Sequence, residues 1–407
     1  MLKHYLDELV ASSKNILLLQ GPLGHFFKDL SRWLEQQDKS VYKINFNGGD
    51  EYFYFKNHKN TINYQQSIQD WECFLVHFIK QNHIDSILCF GDHRPYHKIA
   101  KHICEKYGIQ FWVFEEGYFR PHYVTLEKQG VNAFSPIPKN AEFFLENHYQ
   151  DLPEPIEPKP LAKGFLPMAE NAMKYYFAAF YKQKKYPHYQ HHKELALSYY
   201  IRLWITSGIK RLYYYLHDYQ FSQKVIENRL GDFFLVPLQV YDDSQVKVHC
   251  DFENVEHFLR EVLISFATHA PENLNLIVKH HPMDRGFIDY TKIINNLCSQ
   301  YPAIKERVFY VHDVPMPVFL RKAKGMVTLN STSGLSALLH HVPTITLGRA
   351  NYDIAGLTYQ GTLANFWQNS TPPNTELFEA YRKFHLYKTQ INGSFYTKVN
   401  LPTEFRY

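Results

Sequence analysis

The sequence predicts an α/β protein built from two Rossmann-like domains, with a helical segment between them. Before residue 120, a short apolar run, a polar turn and a helical pattern follow one another four times. The same alternation starts again near residue 231. Strands that alternate with helices favour parallel sheets covered by helices on both faces. We therefore expect domains at residues 1–160 and 231–375, a helical segment at 161–230, and a tail at 376–407 that packs back onto the molecule.

The predicted strands of the first domain are the apolar runs at 16–19, 41–46, 84–90 and 111–114. Each is short and is followed by glycine or polar residues, which is typical of buried strands. A helix is expected to begin near His25, after the first glycine turn. In the second domain, the predicted strands lie at 232–240, 274–279, 308–312, 325–329 and 343–347, with a helix at 254–266.

The net positive charge of the chain is concentrated in the middle segment. Residues 163–229 contain eleven Lys or Arg and four Asp or Glu, which gives +7, whereas the whole chain of 407 residues is formally +4. Tyrosine, phenylalanine and tryptophan are interleaved with these charges, a composition typical of helices on an anionic membrane surface. Nucleic-acid binding is an alternative, but no nucleic-acid motif accompanies the charge. A third hypothesis is a helical connection with a solvated basic face.

The five cysteines are scattered and form no CxxC pair, so neither a disulfide framework nor a zinc site is expected. The N-terminus has no apolar core of a signal peptide, and no run of about 18 apolar residues predicts a membrane span. The expected location is the cytoplasm.

Polar groups follow the strands of the first domain, where ligands of open parallel sheets bind. Glu115 and Glu116 follow the apolar run at 111–114, and one of them is expected to face the crevice. The other would bond the local backbone or pair with Arg120. The alternative is an exposed acidic turn. Arg120 is also a candidate for contact with an acceptor or sugar. Further candidates of this kind lie at the ends of the first and second strands: Gly21, Gly24, Asn45 and Asn47.

The second domain offers a candidate anion site. Ser331, Thr332 and Ser333 precede a predicted helix, whose N-terminal amides favour a phosphate; simple helix capping is the alternative. Lys279, His280 and His281 follow a strand, with His281 as a hydrogen-bond donor or acid toward a leaving phosphate. No HExxH, Walker A or GxSxG motif is present, and no metal or other cofactor is expected.

Two α/β domains with polar strand-end turns, the second suited to a phosphate, predict a GT-B-like glycosyltransferase. The nucleotide would bind the C-terminal domain and the acceptor the N-terminal one. Cationic groups would stabilise the leaving phosphate.

Several motifs in order also resemble one family, the capsule polysaccharide biosynthesis proteins of the KpsS/LipB type. The resemblance covers about residues 20–357, although the basic middle segment matches no known motif. It lies in the stretches Gln20-Gly21-Pro22-Leu23-Gly24, Lys43-Ile44-Asn45-Phe46-Asn47-Gly48-Gly49-Asp50, Phe114-Glu115-Glu116-Gly117-Tyr118-Phe119-Arg120-Pro121, Val236-Pro237-Leu238-Gln239, Lys279-His280-His281-Pro282 and Asn330-Ser331-Thr332-Ser333-Gly334.

The resemblance implies a transferase that moves β-linked 3-deoxy-manno-octulosonic acid (Kdo) from CMP-Kdo to (lyso)phosphatidylglycerol at the inner face of the bacterial inner membrane. By analogy with related transferases, Glu116 matches the catalytic carboxylate, as nucleophile or base of a retaining enzyme, and His281 matches the ligand of the CMP phosphate. Gln239 joins the nucleotide-sugar contacts. Other capsule biosynthesis and export proteins would be further partners, and nucleic acid would not.

Two other hypotheses remain open from the residues. One is transfer of a different sugar or sugar phosphate from another nucleotide donor. The other is a non-catalytic scaffold in capsule assembly or export. Polar turns at strand ends in both domains favour an enzyme over a scaffold.

Overall fold

The chain divides into two compact units. The computed structural model describes residues 2–54, 60–161, 165–189, 197–241, 246 and 250–402, with backbone alone at 165 and 197–205. The helical middle is not a unit of its own, because its two halves pack with different units. The first unit comprises Met1–Ile137, Pro153–Leu197 and Lys383–Tyr407, and the second comprises Pro138–Leu152 and Ser198–Arg382.

Strands and helices alternate in the first half of the chain. Their bounds are α1 (Tyr5–Ser12), β1 (Asn15–Leu18), α2 (Phe26–Glu35), β2 (Ser40–Asn45), α3 (Gly48–Phe53), β3 (Thr61–Asn63), α4 (Trp71–Asn82), β4 (Ser86–Phe90), α5 (Pro95–Tyr107), β5 (Gln110–Glu116), β6 (Tyr123–Lys128), α6 (Ala141–Glu146) and α7 (Phe165–Tyr181).

The alternation resumes after two further helices. The bounds in this part are α8 (Leu197–His217), α9 (Tyr219–Ile226), β7 (Phe233–Pro237), α10 (Val255–His269), β8 (Asn275–Lys279), α11 (Thr291–Gln300), β9 (Val308–Val311), α12 (Met316–Leu320), β10 (Gly325–Thr328), α13 (Ser333–Leu339), β11 (Thr344–Thr346), α14 (Leu363–Asn369), α15 (Thr375–Lys388) and β12 (Gln390–Asn392).

The first unit contains a seven-stranded sheet in the order β12-β6-β5-β4-β1-β2-β3 among the described residues. Strands β1 to β5 are parallel, while β6 and β12 are antiparallel to their neighbours. Alternate residues of β1 face opposite cores: Ile16 and Leu18 pack into one, and Leu17 packs into the other. The sheet is therefore buried on both faces, as the continuous apolar strands predict.

The second unit contains a five-stranded parallel sheet in the order β11-β10-β7-β8-β9. Here too, alternate residues serve two cores, with Phe234 and Val236 on one face and Phe233 and Leu235 on the other. In both sheets the order reverses beside the first strand, next to β4 in one unit and β10 in the other. Each unit thus has the Rossmann strand order, and ligands bind such sheets at the reversal. The predicted fold class, two Rossmann-like α/β parts, is confirmed.

Three strands of the first sheet lie outside the predictions, namely β3, β6 and β12. Strand β12 lies in the tail and pairs with β6, so the tail does pack back onto the first unit. Helix α7 packs against α3, where a Cβ on Gly48 would lie only 2.2 Å from the carbonyl oxygen of Ala178. The absence of a side chain at Gly48 therefore permits the close approach of α3 and α7.

Candidate functional site

The adjacent glutamates lie in a strand and not in a turn. Strand β5 continues through both, because Glu115 pairs with Thr125 and Glu116 pairs with Val124 of the antiparallel strand β6. The expectation that the strand ends before them is wrong, since β6 extends the pairing. Successive strand residues point to opposite faces of a sheet. The two carboxylates therefore leave the strand in different directions.

The carboxyl group of Glu115 has a raised pKa. Burial raises the pKa of Glu115 to about 7, and the negative charges of Glu116 and Asp92 act in the same direction. The backbone N–H of Glu116 donates to Glu115 Oε1 at 3.0 Å, which opposes the rise in part. A carboxyl group that titrates near neutrality can donate or accept a proton under physiological conditions. Glu115 thus matches the predicted acid that bonds the local backbone.

The carboxylate of Glu116 is held by the C-terminal tail. The hydroxyl group of Tyr396 donates to Glu116 Oε1 at 2.8 Å. Burial, followed by the charge of Glu116, raises the pKa of Tyr396 well above its ordinary value, so the phenol keeps its proton. Sequence reasoning missed Tyr396 because it stands far from the motif, in a tail without a strong strand pattern.

Arg120 lies near the carboxyl groups of Glu115 and Glu116. Its Nε donates to the carbonyl oxygen of Gly117 at 3.3 Å, and its charge lowers the pKa of Glu115 slightly against the larger effect of burial. The guanidinium group is exposed. It is therefore accessible to an anionic ligand, in agreement with the predicted contact, which stays a prediction.

Asn45 and Asn47 have structural partners. Asn45 is buried, and its Nδ2 donates to the carbonyl oxygen of Tyr54 and to Asn63 Oδ1. Asn47 caps α3 by accepting from the N–H groups of residues 49 and 50, while its Nδ2 donates to the hydroxyl group of Tyr175 at 2.7 Å. These contacts favour a structural role, and the acceptor contacts predicted for both residues stay untested.

The predicted glycines shape the turn between β1 and α2. A Cβ on Gly21 would lie 2.8 Å from the ring of Phe27, and Gly24 has a φ of +120°. Both line a small cavity of about 20 Å³, together with Lys43 and Asp50. This space suits a water molecule and not a sugar.

A larger cavity opens at the carboxyl edge of the second sheet. Its volume is about 500 Å³, which is in the range of small-molecule sites. Three of the predicted residues at the end of β8 line it together with one of the hydroxyl groups that follow β10. Its lining residues include Lys279, His280, His281, Ser333, Arg211 and Tyr215.

Lys279 supplies a buried positive charge to this cavity. Its side chain is almost entirely buried at the end of β8. Burial and then the nearby charge of Arg285 lower the pKa of Lys279 to about 8, whereas Asp313 and Asp218 act in the opposite direction. The amine is therefore charged at neutral pH and has little water around it, which strengthens its attraction to an anion.

The two histidines differ in their surroundings. His280 is buried, its Nδ1 lies 2.6 Å from the hydroxyl group of Tyr310, and burial together with His312 lowers its pKa to about 3. It is therefore neutral. His281 is partly exposed, and its Nδ1 accepts from the N–H of Met283 at 3.3 Å. His281 also lines the cavity, and its predicted contact with a phosphate stays a prediction.

The three hydroxyls after β10 do not act alike. Ser331 Oγ accepts from the N–H of Ser333 at 3.1 Å and so closes the local turn. Thr332 occupies the N-cap of α13 without a side-chain capping bond. Of the three, Ser333 lines the cavity, and the phosphate contacts predicted for all three stay predictions.

Gln239 connects the two loops at the point where the strand order reverses. Its Nε2 donates to Asn330 Oδ1 at 3.0 Å, and its Oε1 accepts from the N–H of Asn330 at 3.3 Å. The pair joins the loop after β7 to the loop after β10. Gln239 therefore ties two loops of the second unit together, and its predicted contact with a nucleotide sugar stays a prediction.

Helix α8 contributes two cavity residues that sequence reasoning missed, Arg211 and Tyr215. The helix is fixed by Asp218, whose Oδ2 accepts from the N–H groups of His312 and Asp313 at 2.7 and 2.9 Å. The only signal for Arg211 in the sequence was its place in the basic segment.

Among the described residues, no group of three or more His, Cys, Asp or Glu side chains is arranged to hold a metal ion. In the same part of the chain, every helix is too short or too polar to cross a bilayer.

Comparisons with known proteins agree on one family. Residues 85–396 match the family described as "Capsule polysaccharide biosynthesis protein". The chain is 52% identical to the capsule polysaccharide modification protein LipB of Neisseria meningitidis serogroup B, over 99% of this chain and 97% of the relative. It is 40% identical to the capsule polysaccharide export protein KpsS of Escherichia coli, over 95% and 98% of the two chains.

Among solved structures, the chain resembles KpsC of Thermosulfurimonas dismutans, a beta Kdo 2,7 transferase, with a TM-score of 0.46 and 14% identity over 94% of this chain and 93% of that one. Because the sequence relationships cover nearly the whole chain, the protein belongs to the capsule polysaccharide biosynthesis family.

Proposed function

We propose that the protein is a glycosyltransferase that moves β-Kdo from CMP-Kdo to (lyso)phosphatidylglycerol, and so starts the linker of a capsular polysaccharide. One observation carries the proposal of a nucleotide-sugar enzyme. It is the cavity at the strand reversal of the second unit, which contains the buried charge of Lys279. The choice of CMP-Kdo and of the lipid rests on the resemblance of the motifs to the KpsS/LipB type.

The cavity residues suit the departure of a nucleotide phosphate. When the bond between sugar and phosphate breaks, negative charge develops on the leaving phosphate oxygen. Lys279 offers a positive charge with little competing water, and His281 and Ser333 offer hydrogen-bond donors. Preorganised donors of this kind stabilise charge that develops in a transition state.

The carboxylates of the first unit suit the sugar-transfer chemistry. Glu116 is the proposed nucleophile or base, and Tyr396 holds its carboxylate in place. Glu115, with a pKa of about 7, is proposed to exchange a proton with the acceptor hydroxyl group. Proton transfer by a positioned side chain contributes typically about 10²–10⁴-fold to an enzymatic rate.

The proposed location is the inner face of the bacterial inner membrane, as a peripheral protein. The acceptor is a lipid in this proposal, so the enzyme must meet it at a bilayer surface. The basic and aromatic middle segment supports this location by its composition.

The test is to incubate the purified protein with CMP-Kdo and short-chain phosphatidylglycerol and to record a mass spectrum of the lipid. The expected result is a lipid heavier by one Kdo residue, together with release of CMP. Product from UDP-sugars and none from CMP-Kdo would overturn the choice of donor. A protein that binds CMP but forms no product with any lipid would favour the scaffold hypothesis.

A further inference from the structure

Helix α8 has an unusual charge composition for an exposed helix. It runs for 21 residues, from Leu197 to His217, and contains no aspartate or glutamate. Arg202, Lys210 and Arg211 give it three positive charges. At 1.5 Å per residue it is roughly 31 Å long. The formal charge of this helix is therefore positive, which favours an anionic partner.

One face of α8 is apolar and exposed to solvent. Ile209, Leu212, Tyr213 and Leu216 are 67, 66, 60 and 67% exposed. Their spacing of three, four and seven residues places them on one side of the helix. Soluble proteins seldom leave such a continuous stripe uncovered, and a stripe of this kind marks a contact surface.

The opposite face of the same helix is fixed to the second unit. The ring of Tyr214 stacks on His312, with centroids 3.6 Å apart and planes at 8°. Arg211 and Tyr215 line the large cavity. The apolar stripe and the residues that line the cavity therefore lie on different sides of the same helix, α8.

We propose that this apolar stripe of α8 lies on an anionic phospholipid surface, with the helix parallel to the bilayer plane. The inference rests on the proposed function and deepens it, since it assigns the lipid contact to one face of a helix whose other face lines the cavity. Leucine and isoleucine would enter the boundary between headgroups and acyl chains, while Tyr213 and the neighbouring Lys210 would stay among the headgroups.

Charge decides between a lipid surface and a second copy of this chain as the occupant. A copy related by twofold symmetry would bring two acid-free, positively charged helices together, and like charges in contact oppose association. Anionic lipids instead attract the positive charge of the helix, with roughly 1 kcal/mol for each Lys or Arg near the surface; Arg211, which lines the cavity, does not count toward this sum.

The test is co-sedimentation of the full chain with vesicles, without any donor present, so the outcome is independent of transferase activity. The test variant is Leu212→Gln with Leu216→Gln, which removes apolar surface and leaves the charge unchanged. The matched control is Ile156→Gln with Leu339→Gln, two side chains exposed elsewhere, at 73 and 52%. Thermal unfolding of each variant verifies that the fold survives.

The expected result is that the wild-type protein binds mixed phosphatidylcholine–phosphatidylglycerol vesicles, and more weakly as salt rises. The α8 variant should bind about 10–100-fold more weakly, because two leucines no longer enter the lipid boundary. The control should bind like the wild type. Pure phosphatidylcholine vesicles should bind all three proteins weakly.

Three outcomes would overturn the proposal. One is unchanged vesicle binding by the folded α8 variant. The second is loss of binding in a variant of the exposed stripe of α7, Phe177→Gln with Phe180→Gln, while the α8 variant binds normally. The third is a wild-type dimer that the α8 substitutions convert into a monomer, since the stripe would then be an interface between copies.

Discussion

The phenol of Tyr396 and the carboxylate of Glu116 form a 2.8 Å hydrogen bond between residues 280 positions apart in the chain. The bond joins the end of β5 to the segment that follows β12. Because the phenol keeps its proton, Tyr396 acts as a fixed donor that orients one carboxylate oxygen. The position of the Glu116 carboxylate therefore depends on the C-terminal tail as well as on strand β5.

Tyr396→Phe should reduce turnover about 10- to 100-fold, because a hydrogen bond to a charged group contributes about 1.5–3 kcal/mol. The KM for the donor should change little, since Tyr396 is proposed to position Glu116 and not the nucleotide. Steady-state kinetics would measure both. Tyr64→Phe is the control, because it also removes one buried hydroxyl donor, to the carbonyl of Ser67. Equal effects of the two substitutions would make Tyr396 merely structural.

Glu116→Gln should lower turnover by about 10²–10⁴-fold or more, since it removes the proposed nucleophile or base and keeps the shape of the side chain. CMP affinity and the unfolding temperature should stay close to those of the wild type. If Glu116 is the nucleophile, mass spectrometry of the wild-type protein should detect a trapped Kdo adduct on the peptide that contains Glu116. Near-normal turnover of the folded variant would contradict a catalytic role for Glu116.

Glu115→Gln should stabilise the protein above neutral pH. The folded protein keeps this proton up to about pH 7, whereas an unfolded chain releases it near pH 4.5. The unfolded state therefore binds fewer protons in this interval, and stability of the wild type falls as pH rises through it. After a discount for partial exposure, the variant should gain about 1–3 kcal/mol at pH 8 and little below pH 4.5.

Thermal unfolding across this pH range measures the effect. The exposed residue Glu306 offers the control Glu306→Gln, which removes one negative charge from the surface. A Glu115→Gln protein whose stability follows the wild type at every pH would mean that Glu115 titrates in its ordinary range.

Lys279→Met should weaken CMP binding about 10- to 100-fold, because it removes a charge-assisted contact with the phosphate. In the wild type, affinity should fall as pH rises through about 8, where this amine loses its proton. Calorimetric titration on both sides of that pH tests the sign. Lys322→Met, at an exposed position, should bind like the wild type. A Lys279→Met protein with the pH dependence of the wild type would exclude Lys279 as the phosphate contact.

Much of the fold could be predicted from local sequence, because both sheets contain continuous apolar runs such as 233–237 and 276–278. The edge strand β12 could not, since its three residues include two polar side chains and it depends on β6 for its hydrogen bonds. The strand after the glutamates was missed in the same way, and the doublet was placed in a turn as a result.

At the second sheet, the sequence indicated which strand ends line the cavity but not the contacts of each residue. Lys279 and Ser333 could be placed there because both lie at the carboxyl ends of strands of a parallel sheet. Asn47 could not be separated from a ligand contact, since the same side chain serves equally well as a helix cap. Arg211 and Lys185 looked alike in the basic segment, yet one lines the cavity and the other forms an ion pair with Glu51.

The discontinuity of the first unit bears on how the protein is synthesised. Strand β12 and Tyr396 are translated after the whole second unit, although they complete the sheet and the carboxylate site of the first. Domains generally fold as units while the chain emerges. A nascent chain would therefore bear the large cavity of the second unit before the carboxylate site of the first is complete. The hydrogen bond from Tyr396 to Glu116 can form only when translation is almost over.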